Sequence, residues 1–162
     1  KEFVNYLDKK PREKIVVRLF NKKYRNDEWC EELRWTDFDP KIELDDGIKK
    51  IESLISKSRL VVYSYDSTGM LETLSDNIPT LAFWGEEVGI LESASPYYKL
   101  LFDAGIIHYS SKSIAEKINE VWDNIDNWWY KKNIQEARRL FCDRFARKTQ
   151  NPVKEIKQIL LS

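Results

Sequence analysis

The run from Arg59 to Trp84, RLVVYSYDSTGMLETLSDNIPTLAFW, restricts the fold of this chain more than any other stretch. Leu60, Val61, Val62 and Tyr63 are an unbroken apolar run rich in β-branched residues. Such a run is short enough for a strand buried on both faces, as in a parallel sheet. Small polar residues then take over at Ser64, Asp66, Ser67, Thr68 and Gly69, and Met70, Leu71 and Leu74 follow with helical spacing. Pro79 stops that helix, and Thr80, Leu81, Ala82, Phe83 and Trp84 read as the next buried strand. The stretch is therefore expected to be a right-handed βαβ unit whose polar turn sits at the carboxyl end of a strand. Open α/β sheets bind ligands at that end.

Neighbouring segments extend the alternation. Residues 15 to 20 read as a first strand ending near Arg18, which is expected at the same sheet end as the polar turn. From Asp27, an acceptable N-cap, Trp29, Cys30, Leu33 and Trp35 predict an amphipathic helix. Lys41 to Leu44 fits a short strand, Asp45-Asp46-Gly47 a turn, and Ile48, Ile51, Leu54 and Ile55 a helix with one apolar face.

After the central unit comes an acidic loop from Gly85 to Glu92, in which Glu86 and Glu87 read as solvated. A helix through Tyr97, Leu100 and Leu101 then ends near Gly105, a suitable C′ residue. Residues 106 to 109 read as the last strand. Ser113 with Glu116 fits a capping box for a helix carrying Ile114, Ile118, Val121, Trp122 and Ile125, and residues 128 to 146 look helical. Asn151 as N-cap with Pro152 behind it opens a final helix faced by Val153, Ile156, Ile159 and Leu160. The expected class is α/β: a Rossmann-like parallel sheet of about five strands (15–20, 60–64, 80–84 and 106–109 among them) flanked by helices. Residues 1 to 12 read as a linker and 128 to 162 as a helical tail on one domain.

Composition narrows the partners. The 162 residues are 42% hydrophobic and include six Trp, eight Tyr and seven Phe, ample for one core. Its 27 basic and 27 acidic residues cancel, which gives no reason to expect nucleic acid or a membrane surface as partner. Cys30 and Cys142 have no paired spacing, so free thiols in a reducing, cytoplasmic setting are expected, with no zinc or other metal. No apolar stretch reaches the length of a membrane span. The only methionine is Met70 and the chain begins at Lys1, which suits a piece of a longer protein or a chain lacking its first residues.

A turn of small residues feeding a helix suits phosphate. The first amides have no intrahelical partner, the helix dipole adds about half a positive charge, and small side chains let oxygens approach the backbone. Ser67 and Thr68 add hydroxyls; Glu72, one turn along, suits sugar hydroxyls better than phosphate. Asp66-Ser67-Thr68-Gly69-Met70-Leu71-Glu72, followed by Asn77-Ile78-Pro79-Thr80-Leu81, resembles the nucleotide-sugar signature in the C-terminal domain of GT-B-fold glycosyltransferases and of the related UDP-N-acetylglucosamine 2-epimerases. It departs from the epimerases at Thr68, where they carry a second Gly.

A group of bacterial transferases of surface-carbohydrate or O-antigen (lipopolysaccharide) synthesis is more similar still. The likeness runs through Val17-Arg18-Leu19, the Ser-Thr-Gly turn, Trp84, Tyr97-Tyr98, Asp103-Ala104-Gly105-Ile106 and Trp128-Trp129, roughly residues 14 to 146. This resemblance implies that Ser67, Thr68 and Gly69 hold a diphosphate and Glu72 the ribose.

The candidate nucleotide-sugar site is Arg18, Ser64, Asp66, Ser67, Thr68, Gly69, Glu72 and Trp84, with no catalytic residue assigned and no cofactor beyond the donor itself. Trp84, beside the acidic loop, is the aromatic best placed to line a cleft; Trp122, Trp128 and Trp129 read as packing. His108, the only histidine, reads as a satisfied group at a strand end. Asp37 and Asp39 have Asp-x-Asp spacing but lie before a weak strand. The leading expectation is the donor-binding half of a glycosyltransferase, inactive without an N-terminal acceptor domain that would bring a glycan or lipid-linked acceptor. The alternatives are a nucleotide-sugar 2-epimerase-like enzyme and a non-catalytic Rossmann-like interaction module.

Overall fold

The structure is a computed structural model that describes residues 1–21 and 30–161. Its elements alternate as the hydrophobic pattern requires. After two single-turn helices, α1 (Glu2–Asn5) and α2 (Lys9–Arg12), come strand β1 (Val16–Arg18), helix α3 (Glu31–Phe38), strand β2 (Glu43–Asp45) and the single turn α4 (Glu52–Ile55). Then follow β3 (Val61–Tyr63), α5 (Thr68–Ser75), β4 (Thr80–Phe83), α6 (Ser95–Asp103) and β5 (Ile107–His108). The chain closes with α7 (Ser111–Val121), α8 (Ile125–Trp129), α9 (Lys132–Phe145) and α10 (Pro152–Leu160).

The protein is α/β and every strand pair is parallel, but the strands form two small sheets rather than one of five. β1 pairs only with β2, in register Val16 with Glu43 and Arg18 with Asp45. β3, β4 and β5 form a separate sheet with β4 in the middle. Accordingly Leu81 and Ala82 of β4 are fully buried while Val61, Val62 and Tyr63 of the edge strand β3 are half-buried. An apolar run specifies that a strand will be covered. It does not name its neighbour, and the expected union of β1 with β3 fails on that distinction.

The core lies over the three-stranded sheet. α7 packs on β4 and β5, with α1 laid against it, while α5 packs on β4 and is covered by α9, which also packs on α6. Two expectations change here. Residues 1 to 12 are part of the fold and not a linker: Val4 and Leu7 are buried, Phe3 meets Phe83 at 5.5 Å, and the Asn119 side chain binds both the Tyr6 carbonyl and the Asp8 amide at 2.9 Å. Residues 128 to 146 are not an appendage, because Trp129 and Phe141 have no exposed surface and belong to the same core. They form two helices, α8 and α9, broken at Tyr130–Lys131.

The remaining departures are local. The amphipathic helix expected from Asp27 is present as α3, which begins after Cys30 and buries no residue, with Leu33 exposed; Asp27 and Trp29 lie outside the described residues. The helix expected from Ile48 is only the single turn α4, and before it Gly47, at φ +74°, packs its backbone against Leu19 and Asn21 where a side chain would clash. The cap of α7 is Ser110, whose oxygen accepts the Ser113 amide at 3.1 Å, not Ser113 with Glu116. α7 also ends at Val121, where a 3-10 turn over Trp122–Asn124 replaces its expected last turn.

Candidate functional site

α5 starts where the polar turn predicts. Ser67 is its N-cap, accepting the Met70 amide at 3.3 Å, and the amides of Thr68 and Gly69 fall in the first turn, where a helix supplies no carbonyl partner. The other end closes through Asn77 at φ +57°, with the Ile78 amide reaching the Thr73 carbonyl at 3.0 Å. The helix is thus already closed by a left-handed residue two positions before Pro79.

A cleft of about 540 Å³ opens at the carboxyl ends of all three strands of the larger sheet. From the end of β3 it takes Ser64, Tyr65 and Asp66; from the end of β4, Phe83, Trp84, Gly85, Glu87 and Val88. From the end of β5 and the start of α7 it takes Tyr109, Ser110, Ser111 and Lys112, and from α1, Glu2. The volume is in the range of sites for small molecules and cofactors, and a parallel sheet places its ligands at this edge.

Three of the expected site residues, Ser64, Asp66 and Trp84, line this cleft. Trp84 is 6% exposed, with its ring edge-on to Tyr98 and Phe102 at 6.3 Å, and its Nε1–H is buried without an acceptor among the described residues. Asp66 accepts a 2.6 Å hydrogen bond from the Tyr98 hydroxyl, which fixes one carboxylate oxygen. Burial first, and then that neighbouring carboxylate, push the Tyr98 phenol well above its ordinary value.

Ser67, Thr68, Gly69 and Glu72 follow Asp66 in the chain but are not lining residues, and Glu72 projects into solvent. Gly69 packs on a ring: a Cβ there would lie 3.1 Å from Tyr63, whose hydroxyl donates to the Gly69 carbonyl at 2.8 Å. Its φ is not positive, so the close approach of Tyr63 is what its missing side chain accommodates.

Arg18 belongs to the smaller sheet. Its guanidinium binds Asp45 at 2.6 Å and donates to the carbonyls of Lys49 at 2.7 Å and Gly47 at 3.3 Å, closing the turn after β2. Asp45, and not Asp66, is therefore its sheet-end partner. Asp39 is likewise engaged, with Arg12 at 2.9 Å and the Lys41 amide at 3.1 Å, and both bonds hold its carboxyl below the ordinary range. Among the described residues no three His, Cys, Asp or Glu side chains come close enough to hold a metal ion, and no helix is long and apolar enough to cross a membrane.

The cleft also uses residues to which the sequence reading gave no role, chiefly Glu2, Tyr109 and the Ser110–Lys112 turn. Ser110-Ser111-Lys112 had a signal of its own: small polar residues directly after a parallel strand, the pattern already recognised at Ser67. Among the described residues, Lys112 is the one cation lining the cleft. Glu2 comes from the far end of the chain, and its carboxylate accepts the Ser111 hydroxyl at 3.1 Å beside the α7 N-terminus.

His108, the last residue of β5, is held from both sides. Its Nε2 is 3.1 Å from the Gly105 carbonyl, which can only accept, and its Nδ1 is 2.7 Å from the Ser113 hydroxyl. The imidazole is therefore the Nε2–H tautomer with the serine donating to Nδ1, and burial lowers its pKa.

Comparison with known proteins places the chain in one group. No curated protein and no solved structure matches it. The family model for the LIC12162 family transferases, however, matches residues 1–160, essentially the whole chain. The chain belongs to the LIC12162 family of transferases.

Proposed function

We propose that this transferase chain binds a nucleotide sugar in the cleft, as the donor-binding part of a GT-B-type, Rossmann-like glycosyltransferase of surface-carbohydrate or O-antigen synthesis. The observation that carries the reading is the position of the cleft: it spans the carboxyl ends of three parallel strands, α7 begins on its lining at Ser111, and α5 begins two residues past the lining Asp66. Helix N-termini attract the negative charge of a diphosphate, and the first-turn amides of Thr68 and Gly69 have no intrahelical partner to lose. Ser67 caps this helix, and Glu72, exposed one turn along it, meets ribose hydroxyls. Trp84 offers an aromatic wall and a buried N–H still lacking an acceptor.

Calorimetric titration with UDP-, GDP-, CDP- and CMP-sugars tests this directly. One nucleotide class should bind, and Lys112→Ala should weaken it by about tenfold, the worth of one charge-assisted contact. Glu72→Ala should weaken nucleotide sugars by about ten- to a hundredfold while leaving inorganic pyrophosphate unchanged. If none of the four classes binds, the nucleotide-sugar reading fails and the transferase takes a donor of another kind.

A further inference from the structure

Among the described residues the lining of the cleft has an unexpected charge balance: three carboxylates, Glu2, Asp66 and Glu87, against the ammonium of Lys112. Two are tied in place by hydroxyls, Asp66 by Tyr98 at 2.6 Å and Glu2 by Ser111 at 3.1 Å. The third is placed by a glycine. The Glu87 carboxylate folds over Gly85 into the space a Cβ would occupy, so it lies against the backbone at the end of β4. Around these acids stand aromatic rings, the buried Trp84 and the half-exposed Tyr109, the latter stacked on Phe102 at 3.9 Å. Among the described residues no three acids are close enough to share a cation. Fixed carboxylates beside aromatic faces match a different chemistry: a sugar ring presents hydroxyls that donate to carboxylate oxygens and C–H faces that cover aromatic rings.

We propose that the cleft selects an uncharged glycosyl group and rejects a sugar that carries a carboxylate. This rests on the nucleotide-sugar reading and adds the specificity of the same site. Asp66 and Glu87 accept the sugar hydroxyls, with Tyr98 holding one Asp66 oxygen and leaving the other for the ligand. The negative end of the ligand, its diphosphate, lies toward Lys112 and the helix N-termini. A uronate carboxylate would sit among these exposed like charges, whose repulsion is strongest at low ionic strength.

The test compares nucleotide sugars that differ only by oxidation at C6, UDP-glucose with UDP-glucuronate and GDP-mannose with GDP-mannuronate, alongside UDP and GDP alone. In the class that binds, the neutral sugar should be tighter than its uronate by roughly tenfold or more at low salt. Asp66→Asn and Glu87→Gln, which keep the shape and remove charge, should each shrink that ratio, as should raised ionic strength. A ratio near one, or a preference for the uronate, with nucleotide-sugar binding intact overturns the selectivity and leaves the proposed function standing. Failure of every nucleotide sugar and nucleoside diphosphate to bind overturns both.

Discussion

Individual residues in this chain act through close approach. Gly69 has Tyr63 where its side chain would be, so Gly69→Val forces either the ring or the first turn of α5 to move. A cost of about 1 to 3 kcal/mol is expected, measured by urea unfolding, and a neutral result would show that Tyr63 yields freely. His108 gives a pH signature. Burial lowers its pKa from the usual 6.5, so the unfolded chain binds the proton first as pH falls. Its contribution to stability is fully present above about 6.5 and is lost as pH drops through the folded value. The stability of the native protein should fall more steeply between pH 7 and 5 than that of His108→Gln; identical slopes would mean that the histidine is not buried neutral.

At the level of elements, helix ends show how local chemistry sets boundaries. α6 closes at Gly105, φ +69°, with its amide on Phe102 at 2.9 Å and that of Ile106 on Leu101 at 2.9 Å. α5 closes the same way at Asn77, a residue with a side chain, and its Oδ1 also accepts the Trp129 indole N–H at 2.9 Å. Gly105→Ala should therefore cost about 1 to 2 kcal/mol for the left-handed backbone alone. Asn77→Gly should relieve that backbone but lose the side-chain bond, about 1 kcal/mol, leaving the Asn77 carbonyl at 3.1 Å as acceptor. Indole fluorescence during guanidinium unfolding reads both changes, and equal wild-type midpoints would remove the helix ends from the stability account.

At the scale of the whole molecule, the core over the larger sheet is a hydrophobic cluster that draws on distant parts of the chain, from Leu7 to Cys142. α9 lies within it and α10 outside it. Phe141 has no exposed surface, and Phe141→Ala should cost about 3 to 5 kcal/mol. Ile156 on α10 is 56% exposed, and Ile156→Ala should change stability by less than about 0.5 kcal/mol. Thermal unfolding of the two variants checks the division. A large loss at Ile156 would place α10 in the core.

What sequence determined was local. The βαβ order, the Ser67 cap, the closing Gly105 and the Asn151 cap, which accepts the Lys154 amide at 3.1 Å, all depend on residues within a few positions of one another. The position of Ser64, Asp66 and Trp84 just past their strands was legible for the same reason, since the carboxyl end of a parallel strand is recognisable from the strand itself. Partnership across the chain was not legible. Arg18 could be placed at a sheet end, yet only the fold paired it with Asp45 and put it in a different sheet from Asp66. Glu2 reaches the cleft because α1 packs on α7, a contact between residues about a hundred positions apart. Hydrophobic pattern encodes which faces are covered; which surfaces cover them is settled only when all the elements compete for the same core.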